Sequence, residues 1–158
     1  MSEWEQFASL LSEESRLLGD LGNAALGLTQ ALVDNDPEAI ETAERRVEAQ
    51  LVLHSSAYGQ RTGMQQRGFG KLTLPQVCAY APPPLRRAMH ATAQEITVRG
   101  IALKLTVSNN KALILAGMER LARTVAVMQR AGTEQPGTYK RRGTVPPPSG
   151  SVIVSRRA

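Results

Sequence analysis

Leu85 to Ala131, LRRAMHATAQEITVRGIALKLTVSNNKALILAGMERLARTVAVMQRA, is the longest uninterrupted helical stretch of the chain, opening after Pro82-Pro83-Pro84 and closing at Gly132. At about 1.5 Å of rise per residue it would run roughly 70 Å. Leu85, Met89, Ile96, Leu103, Val107, Ile114, Leu121, Val125 and Met128 fall largely in steps of three, four or seven. That spacing predicts a helix face in need of partners. Gly100 and Gly117 interrupt the face, each weakening a helix by about 1 kcal/mol relative to Ala, and Asn110 puts an amide on it. A helix with such weak points can bend or exchange partners.

Two further long helices precede it. Ser2-Glu3-Trp4-Glu5 has the pattern of a capping box. Trp4, Phe7, Leu11, Leu18, Leu21, Ala25, Leu28 and Leu32 then keep a three-four spacing broken by Glu14, and Leu10, Leu17, Ala24 and Ala31 widen the stripe. A face this broad predicts contact with more than one neighbour. Gly19, Gly22 and Gly27 lower the intrinsic helicity, so packing must hold this helix. Asn35-Asp36-Pro37-Glu38 offers an N-cap, a proline suited to the first helical position and a carboxylate for the positive helix end, which predicts an antiparallel hairpin. The second helix is expected to turn Ile40, Ala43, Val47, Leu51, His54 and Tyr58 inward, with Glu41, Glu44, Arg45, Arg46 and Glu48 outward. Past Tyr58-Gly59, the glycines at 63, 68 and 70 predict a loss of regular structure. Thr73-Leu74-Pro75-Gln76 caps a helix of one or two turns ending near Tyr80, and Ala81 to Pro84 forms an extended corner.

Composition sets the class. The hydrophobic share is 42% but the aromatic share only 4%, which favours helix packing by Leu, Ala, Val and Met. The lone Cys78 allows no intramolecular disulfide and, with only two histidines, no metal-ligand cluster, which fits a reducing compartment. No apolar run approaches bilayer-spanning length and the first residues are acidic where a secretory signal is basic, so a cytoplasmic chain is expected.

Charge is unevenly placed. Residues 1–67 hold 5 Lys or Arg against 11 Asp or Glu, residues 68–132 hold 9 against 2, and residues 133–158 hold 5 against 1. An acidic half can therefore lie against a basic half, with a basic tail beyond. That tail, with four prolines and little to bury, reads as disordered despite the short β-prone Val152-Ile153-Val154. The expected fold is all-α: an elongated antiparallel helical bundle or coiled-coil hairpin with one long C-terminal helix. Residues 1–132 form the helical domain and 133–158 a flexible basic tail.

Catalysis finds no foothold, because neither His54 nor His90 comes with a recognisable nucleophile signature. His54 reads as an inward-facing helix residue, Cys78 as a small buried hydrophobe, and Gly68-Phe69-Gly70-Lys71 as a turn rather than a phosphate loop. No cofactor or metal is implied. Lys140-Arg141-Arg142 and Arg156-Arg157 could touch phosphates, but Tyr139 is their only aromatic companion and a solubilising role is favoured. Most of the stripe from Leu103 to Met128 reads as ordinary bundle core, but two shorter helices of about 45 to 50 Å cannot cover a third of roughly 70 Å along its full length unless it bends or dimerises. An uncovered apolar stretch is a docking groove for an amphipathic helix of another protein.

The run Ser108-Asn109-Asn110-Lys111-Ala112-Leu113-Ile114, the helical stretch on to Met128, and Thr138-Tyr139-Lys140-Arg141-Arg142-Gly143 together resemble the C-terminal signature of FlgN-like flagellar export chaperones. In that family an asparagine-rich helix is followed by a tail bearing Tyr-x-x-x-Gly. The Gly-Phe-Gly and Pro-rich middle, the basic residues between Tyr139 and Gly143 and the Pro/Arg extension past Gly143 depart from it. The resemblance implies a cytoplasmic chaperone that binds hook-associated (hook–filament junction) proteins and delivers them to the flagellar type III export gate. The apolar stripe is consistent with client binding along Leu103, Val107, Asn110, Ile114, Leu121, Val125 and Met128, and the motif carries gate docking over to Tyr139 and Gly143, with an aromatic packed back on the helix end as the equal alternative for Tyr139. A self-associating helical scaffold, a possible homodimer, is the alternative, and a nucleic-acid-binding module using the basic tail is a weaker one. The sequence leaves open which junction protein is the client, the oligomeric state and the continuity of the long helix.

Overall fold

The computed structural model describes residues 2–133. It contains α1 (Glu3–Asp34), α2 (Pro37–Phe69), α3 (Leu74–Tyr80) and α4 (Pro83–Thr133), with no strand among the described residues. The all-α expectation holds. The chain divides into two units, Met1–Met118 and Glu119–Ala158. The first holds α1, α2, α3 and α4 as far as Met118; in the second, the described residues are the α4 stretch from 119 to 133. The expected tail lies outside the described residues except for Thr133, which closes α4.

Local chemistry sets the ends of the helices. The Ser2 amide donates to Glu5 Oε2 at 2.6 Å, and the Glu5 amide donates to Ser2 Oγ at 3.3 Å, so the capping box forms. At the other end of α1, Asn35 turns left-handed (φ 54°) and gives its N–H to the Ala31 and Leu32 carbonyls. Asp36 Oδ1 then accepts from the Glu38 and Ala39 amides at 3.1 and 3.2 Å, opening α2. The α3 cap is Gln76 Oε1, which accepts from the Thr73 amide at 2.8 Å and the Thr73 hydroxyl at 3.0 Å. Helix α4 begins at Pro83, two residues before the expected start. Proline fits a first turn whose N–H groups have no intrahelical partner, and the Pro82 carbonyl receives the Leu85 and Arg86 amides. The helix then runs through both Gly100 and Gly117 without a break.

Two expectations for α2 are corrected. Regular structure does not end after Gly59 but continues to Phe69. The reason is packing: Arg61 and Met64 are buried, and the Phe69 ring lies 4.7 Å from Trp4 and 5.3 Å from Phe7, centroid to centroid. These contacts outweigh the roughly 1 kcal/mol that each glycine costs a helix. The inward face also differs. Ile40, Ala43, Val47 and His54 are turned in as expected, but Leu51 and Tyr58 are exposed, and Gln50 and Ala57 take the inward positions. Both readings keep a three-four spacing; they differ in where the three-residue step falls.

The core of the first unit sits where the start of α1, the end of α2, α3 and the start of α4 meet. Phe7, Leu11, Met64, Val77, Cys78, Ala81, Met89 and Ala93 form it, with Trp4, Leu10, Phe69, Leu72, Leu85 and Ile96 packed around. Full burial of a side chain such as Phe7 or Leu11 contributes about 1.5–3 kcal/mol. As expected, Cys78 is part of this core, and burial pushes its thiol pKa above the ordinary value.

Interhelical bonds give the directions. Glu14 pairs with Arg61 and Glu3 lies beside Gly68, so α1 and α2 are antiparallel. Ser15 meets Glu95 and Arg99, while Thr29 meets Asn110, so α1 and the first-unit part of α4 run parallel. The broad face of α1 thus serves two neighbours. The buried ion pair lies within the acidic half rather than between the two halves.

Candidate protein-docking surface

Three polar residues of α4, Glu95, Arg99 and Asn110, hold it to α1 within the first unit. The Arg99 guanidinium lies over Gly19, where an added Cβ would sit 3.2 Å from Nη1, and donates to the Ser15 carbonyl and, at 3.1 Å, to Ser15 Oγ. Ser15 Oγ donates to Glu95 Oε2 at 3.2 Å. About three turns on, Asn110 Nδ2 donates to the Ala25 carbonyl at 3.0 Å, and the Thr29 hydroxyl lies 2.6 Å from Asn110 Oδ1. These bonds fix register, but contribute only about 0.5–1.5 kcal/mol each.

Asn110 therefore differs from the rest of the expected client-binding set. It is 5% exposed and bonded to α1, an intrachain role that leaves no polar atom pointing to solvent for a client. Leu103 is half-buried, and Val107 and Ile114 are exposed in the same unit. In the second unit Leu121, Val125 and Met128 are all exposed. Tyr139 and Gly143 lie outside the described residues.

The reading of a single stripe missed other large apolar residues open to solvent. In the first unit these are Val98, Ile101, Leu105, Leu115 and Met118 on α4, Leu26 and Val33 on α1, Leu51, Val52, Leu53 and Tyr58 on α2, and Tyr80 on α3; in the second, Val127. The pairs 26/33 and 98/105 are seven apart and visible as heptad steps, but the sequence does not say that the helix face opposite is left uncovered.

Between α1 and α4 lies a groove of about 280 Å³. Leu18, Gly19, Gly22, Asn23 and Leu26 line it from α1, and Arg99, Ala102, Leu103 and Thr106 from α4. A Cβ at Gly22 would meet nothing within 4 Å, so the bare α1 backbone is its floor. A second groove of about 500 Å³ between α1 and α2 is lined by Glu3, Gln6, Leu10, Gly59, Gln60, Gly63, Met64 and Arg67 and carries charges of both signs. On the outer side of α1, Arg16 forks between Glu13 and Asp20, and its hydrogen bond holds the Glu13 carboxyl pKa below the ordinary value.

Among the described residues no cluster of three His, Cys, Asp or Glu could hold a metal, and no helix is long and apolar enough to cross a membrane. What the surface offers is aliphatic area on a basic helix: α4 carries eight Lys or Arg against Glu95 and Glu119. No curated protein and no solved structure matches the chain. The family model described as FlgN protein matches residues 1–147, nearly its whole length. The chain belongs to the FlgN family of flagellar export chaperones.

Proposed function

We propose that the protein binds hook-associated proteins of the hook–filament junction in the cytoplasm and delivers them to the flagellar export gate. The observation that carries this reading is the row of large aliphatic side chains left in solvent along α4: Val107, Ile114, Leu115 and Met118 in the first unit, Leu121, Val125, Val127 and Met128 in the second. A chain that needed α4 only as its own core would leave far less of it uncovered. A client segment that is unstructured before assembly folds as an amphipathic helix on these residues, and the ordering cost keeps the complex releasable. Family membership supports the chaperone role in general, and the client, the gate step and the part of Tyr139 and Gly143 in docking are the finer reading.

Calorimetric titration with the hook-associated proteins of the same genome, at low and high salt, tests it. Salt-tolerant one-to-one binding with a negative heat-capacity change is the expected result. Absence of binding at both salts by a folded chain would overturn the reading and put self-association first.

A further inference from the structure

Within the first unit α4 is apolar on two opposite faces. Met89 and Ala93 are buried in the core and Asn110 against α1, whereas Val98, Ile101, Leu105 and Leu115 stand in solvent, 66%, 59%, 62% and 51% exposed. The exposed residues belong to a row, Val98, Ile101, Leu105, Ser108, Ala112 and Leu115, that alternates steps of three and four without a fault. Such a row is the seam of a coiled coil, and it has no partner in the chain. Its next position is Glu119, so the seam closes inside the first unit.

We propose that a second copy of the chain covers this row, the two α4 helices pairing parallel and in register about a two-fold axis from Val98 to Leu115. The inference stands apart from the chaperone reading, and Leu115 alone is shared with the α4 row proposed above for the client. The matching face for the seam is the seam itself: at the same spacing the outer rows of α1 and α2 are broken by Asn23 and Gln30, and by Glu41, Arg45 and Glu48. Flanking residues set the orientation. In a parallel pair a residue just before the seam faces the one five places on in the second copy, so Lys104 meets Asn109, Lys111 meets Ala116 and His90 meets Glu95. No like charges oppose each other there, and the Glu95 side chain is 58% exposed. An antiparallel pair that matched Val98 with Leu115 would set Lys104 against Lys111 twice. Because α1 already holds α4 through Ser15, Ala25 and Thr29, pairing needs no new helix to form.

Sedimentation equilibrium of the full chain over a range of concentrations tests the pairing, beside a variant carrying Ile101→Glu and Leu105→Glu at exposed positions and a separate Ser108→Cys chain. The proposal expects a monomer–dimer equilibrium for the parent chain, at least a tenfold weaker one for the double variant with unchanged circular dichroism, and a disulfide-linked dimer of Ser108→Cys on mild oxidation. Cys78 is buried, so the introduced thiol is the one that reacts. A parent chain that stays monomeric throughout overturns the proposal, as does a dimer that survives both glutamates. A dimer in which Ser108→Cys fails to cross-link overturns the parallel register. The double variant is also titrated with the hook-associated proteins: unchanged affinity is expected, whereas lost affinity beside a monomeric parent gives the seam to the client and overturns the second copy. None of these outcomes decides whether the parent chain binds its client, so the chaperone reading stands or falls separately.

Discussion

Glu14 and Arg61 form a two-bond ion pair in the α1–α2 seam, Arg61 Nε to Glu14 Oε2 at 2.6 Å and Arg61 Nη2 to Glu14 Oε1 at 3.1 Å. Their side chains are 2% and 8% exposed respectively, and Arg61 Nη1 also donates to Gln65 Oε1 at 2.7 Å. A residue that interrupts the apolar pattern of α1 is thus the anchor for α2. Position 14 faces inward because its charge is matched, not because it is apolar.

Removing one partner strands the other. Glu14→Leu or Arg61→Leu alone is expected to cost about 3–5 kcal/mol in urea unfolding, whereas Glu14→Leu combined with Arg61→Met should recover most of that loss. If each single variant unfolds like the parent chain, the pair does not anchor the hairpin.

Asn110 ties α4 to α1 through Ala25 and Thr29. Asn110→Ala leaves polar groups of α1 without their partner and is expected to destabilise by about 1–3 kcal/mol. Because its polar atoms face α1, client affinity measured under conditions where the variant stays folded should be unchanged. A lower affinity without loss of stability would place Asn110 in the client site.

Cys78 is protected by burial. The thiol should react with a maleimide only as fast as the core opens, and at once in denaturant. Its raised pKa also fixes a sign. The folded state keeps the proton longer than the unfolded one, so this stabilising contribution is complete below the unfolded pKa of about 8.5 and is lost as pH rises past it toward the folded value. Unfolding midpoints of the parent chain and Cys78→Ala, compared from pH 7 to 10, should show the steeper fall in the parent.

Leu121 and Val125 are exposed in the second unit. Leu121→Asp with Val125→Asp should abolish binding of the hook-associated client and leave the helical circular dichroism in place. A general loss of helix would instead show that both are core residues.

The proposed role of Tyr139 is the gate step. Tyr139→Ala is expected to leave client affinity as it was and to lower export of the client into the medium. Reduced client binding by the purified variant would move the residue to the client side.

The sequence by itself determined the helix count and most helix ends. Ser2 with Glu5, Asp36 with Pro37, and Thr73 with Gln76 act over two or three residues, so their outcome is written locally. It also marked α4 as an apolar helix longer than its partners, which is the root of the docking reading. Tertiary structure decided what depends on a distant neighbour. Arg61 is turned in by Glu14, 47 residues away, and that choice places Gln50 and Ala57 rather than Leu51 and Tyr58 in the seam and carries α2 through Gly63 and Gly68. In the same way Arg99 reaches Ser15 across 84 residues and covers Gly19, while Gly22 stays bare as the floor of the groove. Periodicity names the residues that share a face; only packing decides which of two adjacent faces is buried and which is left for a partner.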